Sequence, residues 1–169
     1  MPKPLTLDLP FPSTDKITPD ALTLRIISPE YASPSGELTA VLQYIYHSFF
    51  FEKEGYGEIA DTLEAIAIAE MIHFKLLGKT VLALGAAPIY TQYPPSPFNF
   101  YSTKYVSYSR TLKDMLEDDI RAEKHAIRSY ENMLRRLKNQ QVIAIIERLL
   151  QDERLHLQTF TQIYEGFKP

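Results

Sequence analysis

Apolar positions recur with helical period in four long runs of this chain, and two proline-rich stretches interrupt the period. Leu38, Val41, Leu42, Ile45 and Phe49 predict a first helix, A, over about 36–53, broken by Gly55-Tyr56-Gly57. An Ala-, Ile- and Leu-rich run predicts helix B over about 58–84, stopped by Gly85 with Pro88 shortly after. Helix C is expected from Ser109 or Thr111 to about Lys138, and helix D from beyond Gln141 to about Tyr164. Short A–B and C–D turns make two antiparallel hairpins. Residues 87–108 are too long for a turn, and at roughly 3.3 Å per extended residue they can run the length of a bundle. That segment carries seven aromatic residues, so it is expected to lie against the helices. The result is an all-α four-helix bundle over 36–166 with a long B–C crossover. Residues 1–35 hold seven prolines and are expected to form an extended arm that wraps the bundle or a neighbouring subunit.

Into this frame fall two Glu-x-x-His motifs, Glu70-Met71-Ile72-His73 and Glu153-Arg154-Leu155-His156. Residues at i and i+3 share a helix face, so each motif aims a carboxylate and an imidazole the same way. A lone glutamate stands upstream of each, Glu37 before the first and Glu123 before the second, at nearly equal distance from the intervening turn. Composition alone would give on the order of 0.3 such motifs, and the neighbours of both are apolar. Four carboxylates and two imidazoles converging in a bundle core make a dinuclear metal site. Two divalent cations cancel the formal charge of the four carboxylates, which would be costly to bury unpaired. Glu70 and one carboxylate of the second hairpin are expected to bridge, Glu37 and the other to be terminal, with His73 and His156 one on each ion. Oxygen-rich ligation with two imidazoles suits iron or manganese.

Other side chains join with alternatives open. Tyr44, two turns after Glu37, either hydrogen-bonds a ligand and relays electrons or is a core tyrosine. Tyr130 stands in the same relation to Glu123. Asp152 either orients a ligand histidine or is a solvated helix residue, as does Asp119. His47 and His125 are read as structural or surface groups. The net charge of −3 and the absence of a basic stripe argue against a nucleic-acid partner. The absence of cysteine excludes thiolate chemistry. No apolar run reaches membrane-spanning length, and a cytoplasmic protein with no membrane partner is expected.

The set Glu37, Glu70-x-x-His73, Glu123 and Asp152-Glu153-x-x-His156 resembles the ferritin-like superfamily, in the part holding bacterioferritins, rubrerythrins and manganese catalases. The first spacing and Tyr44 resemble bacterioferritin and rubrerythrin. The second spacing and the run Ala122-Glu123-Lys124-His125-Ala126-Ile127 look closer to manganese catalases, in which the last glutamate carries protons beside the metals, a role that would fall to Glu153. Ala122 stands where those catalases are expected to carry arginine, and the rubredoxin cysteines of full rubrerythrins are absent. Met71 matches the haem-binding position of bacterioferritins and is read as packing. The resemblance implies two Fe or Mn ions per chain, a homo-oligomer, and catalase- or peroxidase-like handling of H2O2 or O2. Ferroxidase iron storage and a purely structural metal-binding bundle are the alternatives.

Overall fold

The computed structural model describes residues 1–168, and among them the regular structure is helical apart from one isolated bridge. The elements are α1 (Ala21–Ala32), α2 (Glu37–Lys53), α3 (Gly57–Ala83), a 3-10 turn (Thr103–Tyr105), α4 (Leu112–Leu134) and α5 (Gln140–Gly166). Helices A to D are thus α2 to α5, paired as α2–α3 and α4–α5. Thr111 caps α4 by accepting from Asp114, and Asn139 caps α5 by accepting from Gln141 and Val142. The crossover is held rather than loose. Tyr31 donates to the Pro88 carbonyl at 2.9 Å, Tyr93 N donates to Ser28 at 2.9 Å, and Ser107 N donates to Gln43 at 3.0 Å. Several of its rings nevertheless face outward, Phe98 almost completely.

One expectation is corrected. The arm is not extended throughout, because residues 21–32 form α1 despite Pro29. Asp20 supplies the start by accepting from Leu22 N and Thr23 N. Pro29 costs one hydrogen bond near the end of the helix, and burial of Leu24, Ile26, Ile27 and Tyr31 offsets it. On α2, Leu38 and Ile45 pack against the core while Leu42 and Phe49 are exposed, and the polar residues Glu37, Gln43, Tyr44, His47 and Ser48 are buried.

The polar layer on α2 continues across the bundle and divides the core. One apolar cluster, including Leu77, Val81, Tyr130, Ile145 and Leu149, lies to one side. A second, including Phe51, Leu63, Met115, Leu116 and Phe160, lies to the other. Between them sit the two Glu-x-x-His motifs and their upstream glutamates. The α1–α2 joint sets the depth of the first of these. A Cβ on Gly36 would lie 2.7 Å from the carbonyl oxygens of both Glu30 and Pro29, so only glycine permits this approach. Gly36→Ala is expected to cost about 2 kcal/mol by forcing the joint apart, read as a lower urea midpoint at unchanged slope.

Candidate metal centre

Glu37, Glu70, His73, Glu123, Glu153 and His156 are all buried, and the structure brings all six together. Their donor atoms form two groups. Glu37, Glu70, His73 and Glu153 make one, and Glu70, Glu123, Glu153 and His156 the other, with the donors in each within 4.8 Å of one another. Glu70 and Glu153 belong to both, so each has the position of a bridging carboxylate. His73 Nδ1 lies 2.9 Å from Glu70 Oε2 and 3.1 Å from Glu153 Oε1, and His156 Nδ1 lies 2.8 Å from Glu70 Oε1.

Both rings are oriented from outside. His73 Nε2 faces Asp152 Oδ2 at 3.0 Å, and His156 Nε2 faces the Leu5 carbonyl at 2.8 Å. A carbonyl only accepts, so Nε2 of His156 carries a proton and Nδ1 is the nitrogen that faces inward. The carboxylate of Asp152 holds Nε2 of His73 in the same way, leaving its Nδ1 to face the site. Asp152 is held in turn by Arg148, at 2.7 Å, and by Leu7 N, at 2.8 Å. Arg148 also donates to the carbonyls of Leu7 and Leu9 and lies over the Phe11 ring. Residues 5–11 of the arm are therefore fastened across the histidine side of the site.

The two outer glutamates are tied crosswise. Tyr44 of α2 donates to Glu123 of α4 at 2.6 Å, and Tyr130 of α4 donates to Glu37 of α2. Burial, followed by the adjacent carboxylates, pushes both phenols well above their ordinary pKa, so they remain donors. Both tyrosines thus hydrogen-bond the constellation. Tyr44→Phe or Tyr130→Phe is expected to weaken retention of one ion roughly 10-fold, measured by competition with a chelator of known affinity.

Without a cation the site is electrostatically unsettled. Burial, reinforced by Glu70 and Glu153, pushes the Glu37 and Glu123 carboxyls well up. Burial also opposes a charged Glu70, yet His156 and His73 outweigh it and hold that carboxyl below its usual range. Burial disfavours charge on His73 too, but Glu70, Asp152 and Glu153 together raise its pKa well above normal. Glu70 Oε1, Glu123 Oε2, Glu153 Oε1 and His156 Nδ1 are buried with no aligned hydrogen-bond partner, although some lie within 3.1 Å of one another. Atoms that are close but aimed past one another at a common centre suit coordination of cations.

Asp119 does not reach a ligand histidine. It accepts from Gln43 at 2.8 Å and pairs with His47 Nδ1 at 2.8 Å, while His47 Nε2 faces the Ser107 carbonyl. This buried network pins the end of the crossover to α2. His125 and Met71 are exposed. Sequence reasoning passed over Arg148, whose signal was its place one turn before Asp152. It also passed over Leu5 and Leu7, which act through backbone groups and leave no signal.

A ferritin-like domain model matches residues 35–168. The chain belongs to the ferritin-like family. Among curated members, the bacterioferritin of Desulfovibrio desulfuricans is 27% identical over 78% of this chain and 70% of its own length. That of Mycobacterium leprae is 24% identical over 82% and 80%. Among solved structures, KatB, a manganese catalase from Anabaena, superposes with a TM-score of 0.81 at 23% identity, covering 94% of this chain and 78% of KatB. The Mycobacterium tuberculosis bacterioferritin BfrA gives 0.72 at 22% identity, covering 88% and 87%. The ferritin-like fold and the dimetal-carboxylate superfamily are thereby established for this chain, and no helix among the described residues is long and apolar enough to cross a membrane.

Proposed function

We propose that this ferritin-like chain is a dinuclear iron or manganese carboxylate protein that turns over H2O2 or O2, with catalase- or peroxidase-like chemistry as its leading activity. The observation that carries this reading is the pair of donor groups sharing Glu70 and Glu153. Glu37 with His73 would hold one ion and Glu123 with His156 the other, with Glu70 and Glu153 serving both. Two redox-active ions bound there supply or accept the pair of electrons that peroxide chemistry needs. The protein's own contribution is to fix and shield. Tyr44 and Tyr130 hold the outer carboxylates, Asp152 and Leu5 hold the imidazoles, and the arm keeps bulk water from the histidine side. Glu153, whose Oε1 has no aligned partner, would pass a proton beside the metals, and Tyr44, bonded to Glu123, would relay an electron.

A second reading, a ferroxidase serving iron storage, is favoured by one observation: both curated relatives above are bacterioferritins. Metal content of protein expressed with iron and manganese both available, followed by addition of H2O2, separates the two. About two manganese per chain with vigorous O2 release supports the first. About two iron with slow O2 consumption and assembly into a hollow shell supports the second. Absence of bound metal refutes both.

A further inference from the structure

Glu30 is 3% exposed and comes from α1, outside the four helices that carry the metal-site residues. The Gly36 joint presses the backbone of Glu30 against the start of α2, next to Glu37. One carboxylate oxygen accepts from Ser129 of α4 at 2.6 Å. Glu30 lines a cavity of about 90 Å³ between α2 and α4, together with Glu37, Tyr44, Glu123 and Glu153. Gly36, Ala40, Ala122 and Ala126 leave the space open, and it is large enough for a few waters or a peroxide molecule. Two of the carboxylates lining it, Glu123 and Glu153, have oxygens without an aligned partner.

We propose that Glu30 is the proton-exchange group of this cavity, holding at its carboxyl a proton that the peroxide reaction consumes and returns. The inference rests on the function proposed above. Reduction of one H2O2 to two waters takes up two electrons and two protons, and oxidation of a second to O2 releases the same number of each. The metal pair, when bound, would supply and take back the electrons. One proton passes from the Glu30 carboxyl through cavity water to the departing oxygen and the second comes from solvent by the same cavity, and the oxidative half-reaction returns both. Ser129, half-buried, connects Glu30 toward the surface.

Charge distribution supports this role. The ionisable groups around Glu30 are Glu37 and Tyr44 on α2, Glu123 and Tyr130 on α4 and Glu153 on α5, and no cation lines the cavity. Burial, opposed by Ser129 and aided by Glu153, raises its pKa to about 7. The acid form therefore prevails below neutrality and the carboxylate above it.

The test compares Glu30→Gln, which keeps the shape and the Ser129 hydrogen bond, with Glu30→Asp, which keeps an acid. Metal-free wild type is expected to show an infrared band of a protonated carboxyl that fades as pH rises through about 7. E30Q should lack that component and E30D should retain it. Loaded with manganese, E30Q should keep wild-type metal content but lose roughly 10-fold in H2O2 turnover, together with the pH dependence near neutrality, and E30D should recover part of both. An unchanged infrared titration in E30Q overturns the proposal, as does a wild-type pH profile of turnover. Loaded wild type that consumes neither H2O2 nor O2 overturns the reading of the site and the relay with it. That failure is recognised by an infrared band that persists.

Discussion

Glu70→Ala is expected to leave metal content well below the roughly two ions per chain that this site type holds, and to leave H2O2 turnover at background. Glu70 has an oxygen in each donor group and lies within 2.9 Å of both imidazoles, so its loss strips a ligand from both positions at once. It also leaves two buried histidines without the carboxylate that supports their charge. Loss of an outer ligand should act more locally, with Glu37→Ala releasing mainly the ion on the His73 side. Because ligands from four helices meet here, binding free energy is folding free energy. The loaded wild type should therefore melt well above its metal-free form, and E70A should show almost no such gap. Elemental analysis beside calorimetry, each with and without chelator, decides the matter. Two retained ions in E70A would refute the site assignment.

Arg148→Ala should be the most damaging change outside the metal-site residues, costing about 3 to 5 kcal/mol. The guanidinium is 5% exposed, pairs with the buried carboxylate of Asp152, and donates to two arm carbonyls. Removing it leaves a buried carboxylate without its cation and unfastens residues 5–11 together. Arg148→Lys should recover only part of the loss, since one ammonium cannot span Asp152 and the Leu7 and Leu9 carbonyls. Urea unfolding gives the energy, and limited proteolysis tells whether the arm is the part set free. The same variant should lose metal to a chelator faster than wild type, because Asp152 then orients His73 less firmly. Arm cleavage and metal loss at wild-type rates would show that Arg148 does not fasten this side of the site.

What the chain disclosed in advance was whatever repeats locally. The Glu-x-x-His pairs are i, i+3 relations on one helix, and equal arm lengths about two short turns set their depth, so six buried residues were legible without any tertiary information. Tyr44 and Tyr130 followed from the same arithmetic, each seven residues after a glutamate. Contacts across the fold were not legible. On α2 the apolar spacing marked the helix but not its polar partners: Gln43 and Tyr44 are buried against Asp119 and Glu123 of α4. The helix in the arm was obscured by prolines, although Pro19-Asp20 before Ala21 was a start signal outweighed by Pro29. Leu5 acts through its carbonyl, and the approach of Glu30 depends on a missing Cβ at Gly36.

The division of the apolar interior by a charged layer makes cooperativity conditional. Each cluster alone is the size of a small core and gains little from the other across a layer of buried ionisable groups. With cations in place the layer joins the halves, and the chain should unfold as one unit. Without them, hydrogen exchange should resolve two protection levels, one for the Leu77–Leu149 end and one for the Phe51–Phe160 end. A single level in metal-free protein would show that the four helices alone couple the halves. Two levels would tie the integrity of the chain to metal supply: copies made during scarcity would open at one end first and become available to proteolysis there.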